Sequence, residues 1–390
     1  MKRRTALTTL LLTGALLATA APAGAQDAGA DRPGARAWTS NAFPAGNANI
    51  QEAARTDGRT AWAVGFRESG EGRGRSTAPV AFARDGADAA WRALALPDGL
   101  NARTVGDDGA GATWVTGLKT TREGGIPTGR HQDGRWQVQN APAPDRTFAA
   151  GFGGVAAAGG PNDVWAVGYY QPDDHLTFLG LIEHWNGTAW ERVQAPALDA
   201  DYWTLSAVVA TGPSDVWAAG TVGTPEGWPR PLLLHYDGRS WTRVSSPDLD
   251  SRYGELTQLV AVGPRSVWAS GTEEGPDRDP RTLVAHYDGR GWTHQETGIG
   301  AGHLYGLTRT RSGVAVVGET FGNGVHRPIG AQLTPGGWQP LDLPQGATAR
   351  GRMPRSIVET GGRLTVVGID VLGRDANGEP LPPVPFSVTR

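Results

Sequence analysis

The residues best equipped for ligand chemistry in this 390-residue chain are aromatic rings set beside charged groups. Asp201 is followed by Tyr202 and Trp203, Arg252 by Tyr253 and Glu255, and His303 by Tyr305, with Phe148 in a comparable place upstream. An aromatic face next to hydrogen-bonding charges suits a sugar ring or a peptide. Trp228 lies in Pro225-Glu226-Gly227-Trp228-Pro229, where flanking prolines stiffen the loop and can hold the indole out at small entropic cost. It could equally fold back onto Tyr169 or Tyr170. The candidate ligand-binding residues are therefore Asp201, Tyr202, Trp203, Trp228, Arg252, Tyr253, His303 and Tyr305.

Other constellations carry less. Asp201 or Glu255 could act as acid or base on a polysaccharide, but catalysis of that kind needs two titratable groups converging in one pocket, and no catalytic residue is assigned. His131, His184, His235 and His286 each stand two residues before a turn aspartate or asparagine. Equivalent places on different repeats of a ring lie too far apart to share one ion, so a repeated structural contact is expected of them. Asp173-Asp174, and Glu273-Glu274 with Asp277, offer carboxylates for calcium, against the plainer reading as solvated charge. Asn186-Gly187-Thr188 fits the glycosylation pattern but falls where the repeat needs a turn. No HExxH, phosphate-loop, GxSxG or EF-hand pattern occurs. No metal and no cofactor is expected.

What must position these residues is a repeat. Ala61-Trp62-Ala63-Val64-Gly65, Thr113-Trp114-Val115-Thr116-Gly117, Val164-Trp165-Ala166-Val167-Gly168, Val216-Trp217-Ala218-Ala219-Gly220 and Val267-Trp268-Ala269-Ser270-Gly271 share one design, and two degenerate copies end at Gly318 and Gly368. The closing glycines are 52, 51, 52, 51, 47 and 50 residues apart, the length of a four-stranded propeller blade. The fold class read from this is all-β, a seven-bladed β-propeller of four-stranded antiparallel blades. In the clearest blade, strand a spans Gly154 to Ala158, b Val164 to Gly168, c Leu179 to Trp185 and d Ala189 to Val193, with Asn186-Gly187 turning c into d. Asp133-Gly134, Asp237-Gly238 and Asp288-Gly289 do the same elsewhere.

Strand b is apolar on both faces because each blade is sandwiched between neighbours. The recurring tryptophans, on strand b and again after the turn (Trp91, Trp136, Trp190, Trp241, Trp292, Trp338), read as filling the gaps between blades rather than as a stacking surface. A proline follows most of the second set by six residues (Pro97, Pro142, Pro196, Pro247, Pro344), Trp292 with Gly298 being the exception. Trp38 with Pro44 obeys the same rule, although no strands a to c precede it. The last blade has candidates for a, b and c and then the chain stops, so residues 35–44 should supply its outer strand and remove the open sheet edges.

The string from Leu181 to Trp190, like that from Leu232 to Trp241, following a glycine-ended strand b, resembles a divergent kelch repeat. The resemblance implies the propeller architecture and no activity. One glycine closes strand b where kelch repeats usually have two. The copper-radical chemistry of the kelch propeller of galactose oxidase would need a cysteine crosslinked to a tyrosine, and the chain has no cysteine. Sialidase-type Asp boxes match poorly, because aspartate and glycine are adjacent here.

In such a ring the d-to-a and b-to-c connections meet at one face, around the central channel. The candidate aromatics enter strand a at that face, and the b-to-c loops, such as Phe66 to Pro79, Tyr169 to Phe178 and Glu319 to Pro328, are irregular where strands repeat. The alternative is that the rings plug the channel or pack beneath loops. Residues 1–25 have a basic start, an apolar stretch and Ala23-Gly24-Ala25, the pattern of a cleavable export signal, by the general or the twin-arginine route. Residues 26–34 should be flexible, and 35–390 form the propeller. Without the leader 33 basic residues face 39 acidic ones, a net charge of −6 that argues against nucleic acid and anionic lipid. The expectation is a secreted, extracellular monomer that binds a glycan or protein segment without catalysis. A polysaccharide hydrolase or lyase acting at the channel mouth, and a purely structural extracellular protein, are the alternatives.

Overall fold

The computed structural model describes residues 37–70, 76–119, 123–172, 177–225, 227–376 and 378–390. The chain falls into two units, Met1–Ala37 and Trp38–Arg390, and the fold below is that of the second. Residues 1–25, expected from their pattern to be a leader, and the segment 26–34 lie outside the described residues, as do Asp173 and Asp174.

Seven antiparallel sheets are arranged in sequence order. Their innermost strands (a) are Asn49–Arg55, Thr104–Asp107, Thr147–Gly160, Trp203–Gly212, Gly254–Gly263, His303–Thr310 and Arg352–Thr360. Each abuts the next, and the seventh abuts the first, which closes a ring around a central channel. Six sheets have four strands; the third gains a fifth, Leu118–Lys119, on the inner side of its strand a. The seventh blade takes its outer strand from the other end of the chain: Thr39 pairs with Thr389 and Ser40 with Val388, and the Asn41 N–H donates to the Ser387 carbonyl at 2.9 Å. Among the described residues no helix is long and apolar enough to cross a membrane.

The tryptophans form a relay from blade to blade. Trp62, Trp114, Trp165, Trp217 and Trp268 on strand b each meet, near-perpendicular, the post-turn tryptophan of the following blade, with ring centroids 5.2 to 5.9 Å apart. Edge-to-face pairs of this kind add about 0.5–1.5 kcal/mol each beyond the area they bury. Blades 6 and 7 carry Ala315 and Thr365 at the strand b position, so the relay stops. Trp38, half-buried, packs on the blade 6–7 cluster. At the blade 7–1 seam the wholly buried Arg84 takes over: its guanidinium lies 4.9 Å above Trp91 and donates to the hydroxyls of Thr365 and Thr389.

The glycine that ends strand b has a steric cause. Strand a bulges opposite it, pairing Ile50 and then Glu52, Phe152 and then Gly154, Leu304 and then Gly306 with consecutive residues of strand b. The bulge drives a strand a carbonyl against the glycine, so a Cβ on Gly65, Gly168, Gly220, Gly271, Gly318 or Gly368 would overlap that oxygen.

Several connections read as irregular loops prove to be strand. In blade 1 strands b and c stay paired out to Ser69 and Ser76, and in blade 5 to Glu274 and Pro280. Blade 6 closes on the two-residue turn Asn323-Gly324, both with positive φ. Blade 3 strands also overrun their expected ends, a reaching Thr147–Gly160 and b Asp163–Pro172.

Candidate functional site

Three of the eight candidate residues meet in one cleft between blades 4 and 5. Trp228 comes from the blade 4 b-to-c connection, Arg252 and Tyr253 from the segment entering the next strand a, and Glu273, Glu274 and Arg278 from the blade 5 hairpin; the cleft holds about 460 Å³. Arg252 is fixed by its Nη1 on Glu273 Oε2 at 2.5 Å and its Nε on the Asp248 carbonyl at 2.9 Å. The Arg278 guanidinium lies over the Trp228 ring at 4.3 Å and that of Arg230 over Tyr253 at 5.2 Å. Trp228 is thus half-buried under an arginine and does not fold onto Tyr169 or Tyr170. Arg278 has φ of +63° and makes no side-chain hydrogen bond or ion pair among the described residues, so a ligand ring can displace it without breaking a salt bridge.

Tyr202 lines a second cavity, of about 340 Å³, where blades 2, 3 and 4 meet. Its other rings are Phe152, Tyr169 and Phe178, the last two edge to face at 5.3 Å, with Arg103 and Ser206 also on its wall. Burial pushes the Tyr202 and Tyr169 hydroxyls above the usual phenol range.

His303 and Tyr305 stand together in blade 6, their rings parallel at 6.1 Å. Their partner is Glu319, nearly fully buried, which accepts from the Tyr305 hydroxyl at 3.2 Å and from His326 Nδ1 at 2.6 Å. Arg355 lies 4.8 Å over the Tyr305 ring. Burial and the Glu319 charge push the Tyr305 hydroxyl far up, while burial lowers His303. Glu255, at the start of the blade 5 strand a, keeps contact with solvent, yet the protein around it raises its carboxyl. In the channel Glu52 accepts the Val105 N–H at 3.2 Å, and burial pushes it up to about 7. Among the described residues no cluster of three or more ligating side chains could hold a metal ion.

The remaining candidates stand elsewhere. The Trp203 indole is only 7% exposed, in the core between blades 3 and 4, where its ring packs on Gly180 at the wall of a separate cavity of about 290 Å³ that it shares with Tyr170 and Arg192. Asp201 is exposed, and the hydrogen bond it receives, from the Thr177 hydroxyl at 2.8 Å, goes to its main chain. Phe148 is exposed as well. The repeated histidines pack on the strand b tryptophans, and His184, His235 and His286 bond Asp163, Asp215 and Ser266 at 2.7 to 2.9 Å. Asn186 caps its own turn, its Oδ1 accepting the Thr188 and Ala189 N–H groups at 3.0 Å.

Arg103, Tyr169, Phe178, Glu319, His326 and Arg355 were not among the candidates read from sequence. For Glu319 and His326 the signal was Asn323-Gly324, the pattern of a tight hairpin, which makes the two diagonal neighbours on paired strands, Glu319 facing Pro328 and His326 facing Phe321.

No protein-family model matches the chain, and no curated protein sequence does. Among solved structures it is similar to YCF48 from Cyanidioschyzon merolae, with a TM-score of 0.51 and 15% identity over 90% of this chain and 98% of that one. The Hadza microbial sialidase Hz136 gives a TM-score of 0.48 and 12% identity, over 80% of this chain and 75% of that one. The likeness to YCF48 is one of fold.

Proposed function

We propose that this chain is a secreted, divergent kelch-like propeller that binds a glycan or protein segment on its loop face without catalysing a reaction. The observation that carries the reading is the cleft of Trp228, Arg252 and Tyr253, in which connections from two blades converge on two aromatic rings and a set of charges. Rings supply contact area and fixed charges supply direction, the combination a binding surface needs. Export is supported by the leader pattern at 1–25.

Glycan-array and peptide pull-down binding of the mature protein tests this. Trp228→Ala and Tyr253→Ala should each weaken retention about tenfold or more, as loss of a buried contact ring does. Retention unchanged in both variants, or no ligand retained by the parent, removes the reading.

An enzyme at the channel mouth is the second reading, favoured by the raised carboxyl of Glu255 near Tyr202 and Tyr305. Asp201, hydrogen-bonded only through its main chain, does not join them. Release of reducing sugar from a polysaccharide panel, abolished by Glu255→Gln, would favour this second reading over the first.

A further inference from the structure

We propose that the cavity where blades 2, 3 and 4 meet binds a small carboxylate carried on an aryl or alkyl group, with Arg103 taking the carboxylate and Tyr169, Phe178 and Tyr202 enclosing the apolar part. This goes beyond the binding reading above, since it concerns a different cavity and none of the residues of the Trp228 cleft.

The first support is charge. Most arginines whose side chains are engaged hold a carboxylate: Arg130 holds Asp108, Arg252 holds Glu273, and Arg352 grips Asp370 with two nitrogens at 2.7 and 2.9 Å. Arg103 makes no side-chain hydrogen bond or ion pair among the described residues, yet it stands on the wall of a formed cavity. Its fork of N–H donors matches a planar carboxylate in two parallel bonds. Its charge already reaches into the cavity, where it counters the burial that raises the Tyr169 hydroxyl.

The second support is the lining. Phe152, Leu118 and Leu205 join the three part-exposed rings, and the exposed lining is mostly carbon. Sugars carry hydroxyls around the whole ring and need partners on every side, whereas this wall concentrates its one charge at Arg103. A volume of about 340 Å³ holds one ring and a short chain.

The third is how Arg103 is placed. It immediately precedes Thr104, the first paired residue of strand a, with its own N–H on the Thr116 carbonyl at 2.8 Å, and so stands in blade 2 at the place matching the bulge residues Gly153 and Ser206 of blades 3 and 4. All three line the cavity. The position is set by backbone register, which keeps the cation there without help from a neighbouring acid.

Binding of 3-phenylpropanoate, 3-phenylpropanamide and glucuronate to the full mature chain, followed by titration calorimetry or ligand-observed NMR, tests the proposal. The acid should bind about tenfold or more tighter than the amide, the worth of one charge-assisted pair. Arg103→Gln should weaken the acid about tenfold and leave the amide unchanged, while Tyr202→Ala weakens both. Arg103 is exposed, so its variant should keep the parent's melting temperature. Trp228→Ala, which tests the other cleft, should leave 3-phenylpropanoate binding unchanged, so the two readings fail separately. Equal affinity for acid and amide, preference for glucuronate, indifference to Arg103→Gln or no binding of the acid would each overturn the proposal.

Discussion

Glu183 sits in strand c of blade 3, paired with Ala166 on one side and Arg192 on the other. It is wholly buried, and neither carboxylate oxygen has a hydrogen-bond partner among the described residues. That burial, only partly countered by the Arg192 charge, pushes its pKa from 4.5 to about 8. A carboxyl whose folded pKa lies above its unfolded value takes up a proton on folding. Its effect on stability is therefore nil below the unfolded pKa, grows more unfavourable as pH rises, and levels off above the folded one. At about 1.4 kcal/mol per pH unit, the penalty reaches about 3 kcal/mol at pH 7 and about 4 kcal/mol at pH 8, and levels off near about 5 kcal/mol above that. Glu183→Gln keeps the shape and removes the titration. Urea unfolding followed by tryptophan fluorescence should show the variant gaining on the parent by about 4 kcal/mol between about pH 5 and pH 8. Because Glu52 also has a raised carboxyl, the pH dependence of the parent alone would mix the two groups; the difference from the variant isolates Glu183. A difference that stays flat across that range would show that the carboxylate finds water or a partner, and the reasoning from burial would fail.

Two further substitutions read the architecture by denaturant midpoint. Gly318→Ala forces a Cβ into the His303 carbonyl opposite the bulge and should cost about 2 kcal/mol or more, whereas Gly291→Ala, with open space around its Cα, should stay within about 0.5 kcal/mol; equal effects would mean that the bulge does not explain the repeating glycine. Arg84→Ala should lose about 3 kcal/mol by leaving a cavity at the seam, while Arg84→Met, which fills the space, removes a guanidinium that burial has lowered to about 10 and leaves the Thr365 and Thr389 hydroxyls bonded to each other, should cost less than about 1 kcal/mol. Identical losses in both would refute the view that Arg84 serves chiefly to fill the seam.

The scaffold was legible because its packing problem recurs. Each interface asks the same of the residue at the centre of strand b, and tryptophan answers five times, so the period, the blade number and the pairing of the Trp38 segment with the chain end could all be read. The site was less legible because it depends on which side of a strand a residue faces. Tyr202 and Trp203 are neighbours and were grouped for that reason, but successive strand residues point oppositely, so one lines the cavity beside Arg103 and the other packs in the core against Gly180, at the wall of a different cavity. The reading of b-to-c segments as loops failed for a related reason. Charged and small residues there sit on long hairpins that project past the ring, where solvated faces remove the apolar pattern by which strands are recognised. Trp203 is consequently a poor probe of binding, since its replacement would disturb an interface before any ligand is met.

The same bulge that requires glycine on strand b also creates the variable positions of the face. In six blades the extra residue of strand a is Gln51, Gly153, Ser206, Thr257, Tyr305 or Arg355, and in blade 2 Arg103 stands at the matching place just before the strand. Blades 1, 2, 6 and 7 place long side chains there, and blades 3, 4 and 5 place small ones. Long residues close the mouth on their side, as Arg355 does by lying on Tyr305. Small ones leave room, and the cavity lined by Gly153 and Ser206 opens where they stand, with Arg103 as the first long residue at its edge. A ring built from near-identical sheets thus acquires one open side through side-chain size at a single repeated position, with no change in the strands that carry it.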